Sequence, residues 1–244
     1  MKIDVIIPTM WKSVSFTDCL EKYCSVDSIN KIIIVDNNHR DRPKSNILSH
    51  ELIELVSYGR NIYVNPAWNE GYYRSSADIL CLLNDDVFVE PSVFDFVANL
   101  DFKNIDIIGA HLRGSIDNYH IVNHPDGEEK LIKMRVDKSQ PIGGQAYAFG
   151  VCMFIKSTSY RVIPSLYQIW YGDDWLIQRT NNVYALKTSK IHGEISKTIV
   201  DETKNRNSDI QHRIDLDSAN VYRYNHFMNG KNWKLVSNTY IKSI

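Results

Sequence analysis

Four cysteines in 244 residues, Cys19, Cys24, Cys81 and Cys152, form no CxxC pair and no ligand-like spacing. That speaks against a cysteine metal site, and a chain this long can bury a substantial core without staples. Cys81 and Cys152 lie inside apolar runs and read as small core residues. Long apolar runs are missing too: the stretches at 79–83 and 151–155 fall far below the roughly 18 to 20 residues that cross a bilayer. No secretory leader is legible, so a reducing cytoplasm is the expected compartment. Charge of one sign is not in excess, with 28 Lys and Arg against 29 Asp and Glu and a net charge of −1. No global field therefore draws the chain to nucleic acid or anionic lipid, although basic residues can still gather locally.

Several phosphate and nucleophile motifs are lacking. No GxGxxG follows the first expected strand, and there is no GxxxxGK[ST] loop, which argues against a dinucleotide fold and a P-loop nucleotidase. No GxSxG elbow is present, so an α/β-hydrolase is not indicated. Internal repeats and low-complexity segments are absent as well.

What the chain does contain is alternation. Apolar runs at 4–8, 31–35, 61–64, 79–83, 105–110, 151–155 and 184–187 predict strands. Helices are expected over 17–24, 51–56, 69–77, 91–98 and 175–179, the fourth with proline in its first turn. This pattern predicts an α/β, Rossmann-like, mostly parallel sheet with helices on both faces. Three expected strand ends carry polar clusters that would share one rim: Pro8-Thr9, Asp36-Asn37-Asn38 and Asn84-Asp85-Asp86. From residue 201 onward the composition turns polar and aromatic, so 1–200 reads as the main domain and 201–244 as an aromatic and basic tail or cap.

The carboxylates carry the chemistry. Asp85 and Asp86 follow an apolar strand, and two adjacent acids repel unless a cation lies beside them. Magnesium or manganese suits carboxylate oxygens; a solvated turn with capping aspartates is the plainer alternative. His192, after another expected strand, adds an imidazole that tilts the choice toward manganese. Asp173 and Asp174 follow Gly172 at an expected helix start, where aspartate either caps the helix or serves as a general base.

In order, these segments resemble glycosyltransferase family 2, whose members have the GT-A fold. Val5-Ile6-Ile7-Pro8-Thr9 resembles the opening strand, and Ile32 to Asn37 the second strand with its nucleotide-binding aspartate. Asn65-Pro66-Ala67-Trp68-Asn69-Glu70-Gly71 resembles the segment before the DXD strand, and Leu82 to Val87 the DXD segment. Gly150 to Lys156 resembles the acceptor-side strand, Gly172-Asp173-Asp174 with Arg179 the catalytic-base motif, and His192 to Ser196 the late metal-binding motif. The match spans about residues 3 to 197. Two departures stand out: Asn84 replaces the first DXD acid, and Asp173-Asp174 replaces the usual Glu-Asp.

The resemblance implies inverting transfer from a nucleotide-sugar donor to an acceptor hydroxyl. Asp36 would meet the nucleotide base and Asp85 the ribose or sugar, with Pro8, Thr9 and Asn69 completing the donor site. Asp86 and His192 would hold a divalent metal, Mn2+ or Mg2+, against the diphosphate. Alignment on Gly172 makes Asp174 the base, whereas alignment on the distance to Arg179 makes it Asp173; the first is preferred. Tyr222, Tyr224, His226, Phe227 and Trp233, interleaved with Arg213, Arg223, Lys231 and Lys234, make the tail a candidate acceptor surface or a plain hydrophobic cap. The acceptor classes in view are a saccharide, a lipid-linked acceptor and a hydroxymethylated DNA base. The last is raised by a composition, rich in Asn, Ile, Lys and Tyr, that resembles chains of bacterial viruses. A nucleotidyltransferase would want a glycine-rich basic loop where this chain has Thr9-Met10-Trp11-Lys12. A non-catalytic binding protein would not need to keep Asp86, His192 and a base candidate.

Overall fold

The computed structural model describes residues 1–110, 129–140, 142–143, 149–193, 208–229, 233–236 and 239–242, with backbone alone from 226 onward. The expectations placed on Glu194 to Ser196 and Lys231, and on the side chains of His226, Phe227, Trp233 and Lys234, lie outside the described residues.

Eight strands form one sheet in the order β3-β2-β1-β4-β8-β6-β9-β7. They are β1 (Ile3–Thr9), β2 (Ile29–Asp36), β3 (Ile53–Ser57), β4 (Ile79–Leu83), β6 (Ile107–Ala110), β7 (Lys130–Lys133), β8 (Cys152–Lys156) and β9 (Val183–Lys187). The first four run parallel, β8 runs against both β4 and β6, and β7 runs against β9. A short strand β5 (Val87–Val89) pairs separately with β10 (Ile191–Gly193).

Successive strand side chains point to opposite faces, and the core divides accordingly. Val5, Ile7, Ile32, Ile34, Cys81 and Phe154 face α1 (Phe16–Tyr23) and α3 (Pro91–Ala98). Ile6, Ile33, Val35, Leu80, Leu82 and Met153 face α2 (Val64–Arg74) and α4 (Gly172–Gln178). The helix α5 (Ser208–Asn229) closes this second face with Val221 in the cluster, and Ile210 and Ile214 are buried on the same helix. It is followed by the hairpin β11 (Trp233–Val236) and β12 (Thr239–Lys242).

Two expectations are corrected. Residues 51–56, read as helical, supply β3, which pairs in parallel with β2 from Ile53 to Ser57. Its apolar residues fit either period, and the open edge of β2 decided the outcome. Residues 61–64, read as a strand, are loop and the first residue of α2. Tyr63 there has a left-handed backbone (φ 68°), and the Ile62 N–H is taken by the Asn37 side chain, so no ladder forms.

Gly109 in β6 marks a close approach, because a Cβ there would overlap the buried Phe149 ring. Gly109→Ala should therefore cost about 1–3 kcal/mol as an overpacking defect, read as a lower urea midpoint with an unchanged slope.

Candidate active site

Parallel pairing brings the expected rim together. Thr9 stands opposite Asp36 at the ends of β1 and β2, and the Thr9 hydroxyl donates to Asp85 Oδ2 at 2.5 Å. Pro8 is buried one step inside, opposite Val35. The Asp36 carboxylate is fully enclosed. Its Oδ1 accepts from Trp11 Nε1 at 2.7 Å and from the Asn38 N–H at 3.0 Å, and its Oδ2 accepts Arg42 through Nε (2.9 Å) and Nη2. Trp11 and Arg42 were not singled out from the sequence, and only their nearness to the strand ends would have drawn notice. The Asn69 amide is occupied by the protein, accepting from the Tyr160 hydroxyl and the Ile163 N–H and donating to the Ile163 carbonyl. It ties α2 to the 160–163 segment and is not brought into the Thr9, Asp36 and Asp85 group.

The base candidates reach the same rim by another route. β8 starts where β4 ends, with the Asn84 N–H bonded to the Val151 carbonyl, and this places Gly150 beside the Asn84-Asp85-Asp86 turn. The Gly150 N–H donates to Asp173 Oδ2 at 3.0 Å, while Asp173 Oδ1 accepts from the Asp174 N–H at 3.0 Å. Both oxygens of Asp173 are thus engaged. Asp174 is buried, takes a backbone hydrogen bond from Gly143, and has an Oδ1 without a partner. Burial pushes its carboxyl well above the usual carboxylate range, the Asp173 charge adds to the rise, and the Gly143 bond opposes it. Asp173 is raised less steeply, again by burial, because backbone N–H groups favour its charged form.

Among the described residues, the buried side-chain polar atoms without partners all gather here: Asn65 Oδ1, Trp68 Nε1, Tyr167 OH, Gln168 Oε1, Asp174 Oδ1 and Trp175 Nε1. Buried polar atoms are usually satisfied, so this concentration marks a region that needs water or a ligand. Arg179 stacks on the Trp175 ring and donates to the Tyr224 hydroxyl of α5 at 3.1 Å.

Asp85 and Asp86 share one turn after β4, and two carboxylates completed by donor phosphates is a common magnesium arrangement. His192 lies exposed on β10 opposite Phe88, stacked on that ring, with Nε2 3.6 Å from a Glu90 carboxylate oxygen. Among the described residues, no three His, Cys, Asp or Glu side chains converge as a protein cage for a metal. The turn fits the carboxylate-and-phosphate type of site, and β10 runs beside the strand that follows it, with His192 opposite Phe88 and Gly193 opposite Val87.

The model of a sequence family described as glycosyl transferase family 2 matches residues 4–162. The chain belongs to this family. It is a glycosyltransferase with a GT-A-like fold. The structure of residues 1–349 of TarS from S. aureus superposes with a TM-score of 0.59 at 13% identity, covering 94% of this chain and 73% of that one. The same TarS fragment solved with UDP-GlcNAc gives 0.57 at 14% identity, covering 94% and 74%, and that with UDP gives 0.57 at 14%, covering 94% and 73%. No curated protein sequence matches the chain. In this glycosyltransferase no helix among the described residues is long and apolar enough to cross a membrane.

The buried Asp174 carboxyl generates a stability prediction. Its folded-state pKa is raised, so the folded glycosyltransferase binds this proton more tightly than the unfolded chain does. Stability is therefore lost as pH rises from the ordinary carboxylate range through the raised value. Asp174→Asn should melt at or above the wild-type temperature at neutral pH, with the difference vanishing below about pH 4. Thermal melts across pH check this; a variant less stable at neutral pH than in acid, relative to wild type, contradicts it.

Proposed function

We propose that this glycosyltransferase moves a sugar, with inversion and with the help of a divalent cation, from a nucleotide-sugar donor to an acceptor hydroxyl, and that Asp174 is the general base. The observation that carries the reading is the buried Asp174 carboxylate, with one oxygen unpartnered, on the rim that also holds Asp36 and the Asp85-Asp86 turn. Asp174 takes the proton of the acceptor hydroxyl as that oxygen attacks the anomeric carbon. The bond from that carbon to the diphosphate oxygen breaks, and the nucleoside diphosphate leaves. A carboxyl raised by burial is a stronger proton acceptor once ionised, which is how such a base is tuned. Asp173, with both oxygens held by backbone N–H groups, fixes the helix start that carries Asp174.

The donor side of the proposal uses Pro8, Thr9, Asp36 and Asp85. Contact between the nucleobase and Asp36 requires Arg42 to yield its bonds to Oδ2. Asn69 contributes by fixing α2. Asp86 is the proposed principal metal ligand, with Asp85 beside it and His192 as a further donor. Manganese or magnesium there would neutralise charge on the departing diphosphate. TarS has been solved with UDP and with UDP-GlcNAc, so a uridine diphosphate sugar is the first donor to test. Residues 1–200 carry the donor chemistry, and 201–244 form the proposed acceptor side. A saccharide is the acceptor class favoured by the unpartnered polar atoms around Tyr167, Gln168 and Trp175, which suit a hydroxyl-rich ligand. Lipid-linked acceptors and DNA carrying hydroxymethylcytosine are separate arms of the acceptor assay.

Incubation with a panel of nucleotide sugars and manganese should release free nucleoside diphosphate; no release from any donor overturns the reading. Asp86→Ala should abolish turnover and weaken donor binding only when manganese is present, measured by calorimetry. Asp174→Asn should lower kcat by about 10² to 10⁴-fold while donor affinity stays intact. Near-normal turnover in that variant would remove Asp174 as the base.

A further inference from the structure

The C-terminal helix does more than cover the second face of the sheet. Asp217 of α5 is 1% exposed, and its carboxylate accepts three consecutive backbone N–H groups, from Gln168 (3.0 Å), Ile169 (2.7 Å) and Trp170 (3.0 Å). Directly after them comes Tyr171, whose left-handed backbone (φ 66°) swings the chain into α4 and so into Asp173 and Asp174. The next residue of α5, Ser218, donates to the Ile214 carbonyl, so its oxygen accepts from the Tyr171 hydroxyl at 3.0 Å. On the far side of the same segment, Asn65 of α2 donates to the Trp170 carbonyl at 2.9 Å, and its own N–H donates to the Gln168 carbonyl at 2.9 Å. Gly172 then packs so closely on the Asn65 amide that a Cβ would overlap it. The 168–172 segment is thus gripped from two sides, and one of the grips is a single buried carboxylate.

We propose that Asp217 is a positioning residue for the transfer step: by gathering the N–H groups of residues 168–170 it sets the orientation of Tyr171 and hence of the Asp174 carboxylate. This rests on the reading of Asp174 as the base. Carboxylate hydrogen bonds from backbone N–H groups are among the stronger kind, and an oxygen accepting them cannot be replaced by an amide NH2, which would face the same donors with a donor. Burial raises the Asp217 carboxyl, while the three N–H groups and the Arg213 charge pull it back toward the ionised form that the geometry requires. Misplacement of a reacting group by about 1 Å is enough to cost on the order of 10²-fold in rate.

A control exists at the opposite ends of the strands from the rim. Asp106, just before β6, accepts from the Ser159 hydroxyl at 2.8 Å and from the N–H groups of Asn181 and Asn182, and none of these partners is a rim residue. The test compares Asp217→Asn, Asp106→Asn and Tyr171→Phe in the full chain, reading melting temperature, kcat of transfer and donor KM. Both Asn variants should lose melting temperature. Asp217→Asn alone should lower kcat on the order of 10²-fold with donor KM within about twofold of wild type. Tyr171→Phe, which removes only the tie to Ser218, should lower kcat by a smaller factor without changing donor KM, and it carries the test if Asp217→Asn does not fold. The proposal is overturned if kcat survives in Asp217→Asn or, where that variant is unfolded, in Tyr171→Phe. It is equally overturned if Asp106→Asn loses as much kcat as Asp217→Asn. A wild type that releases no nucleoside diphosphate from any donor instead removes the enzymatic reading on which the proposal stands, and the wild-type control separates that failure from the others.

Discussion

Parallel pairing of β1 with β2 on one side and β4 on the other is the constraint from which the site follows. Strands that run the same way deliver their following loops to the same edge. Thr9 therefore meets Asp36 on one side and Asp85 on the other. The register is held by burial on both faces. A slip of one residue would move Val5 and Ile7 into the α2 and α4 layer and Ile6 into the α1 and α3 layer. It would also part Thr9 from Asp36. The apolar strands are thus the reason that three separate polar clusters occupy one rim.

The other half of the rim is built differently. β8 runs against β4, so its beginning, not its end, lies beside Asn84, and Gly150 there takes hold of Asp173. Among the described residues, the non-glycine residues with left-handed backbones are Trp11, Tyr63 and Tyr171, each beside this rim. Such conformations cost on the order of 1–3 kcal/mol each and persist only where surrounding contacts over-determine them. The contacts are present: Trp11 is bonded to Asp36, the Tyr63 hydroxyl accepts from Arg213, and the Tyr171 hydroxyl donates to Ser218. Two of those three anchors lie on α5, so the C-terminal helix joins the donor edge to the base segment mechanically.

Legibility in the sequence followed the strength of local signals. The five apolar residues of β4 can only be buried on both faces, and Pro91 starts α3 where a proline is tolerated. By contrast, Ile53, Leu55 and Val56 fit a strand or a helix, and only the edge of β2 resolved them. The helix α5 was read as tail because its buried stripe mixes Ile210, Ile214 and Val221 with the polar residues Asp217, Ser218 and Asn225. Those polar residues are buried because their partners are elsewhere: the Asn225 side chain, for example, accepts a hydrogen bond from the Ile142 N–H and donates one to the Ile142 carbonyl.

The sequence by itself determined the alternation of strand and helix, the order of the motifs and, through them, membership of glycosyl transferase family 2. Those properties are written in local patterns, since hydrophobic periodicity and turn chemistry act within a few residues of each other. Only the tertiary structure distinguished Asp173, with both oxygens held, from Asp174, with one unpartnered, and only it enclosed Asp36 between Trp11 and Arg42. It also set Asp217 against backbone groups 47 to 49 positions earlier in the chain. A carboxylate's chemistry depends on which donors and charges surround it, and those neighbours are brought together by folding, not by adjacency along the chain.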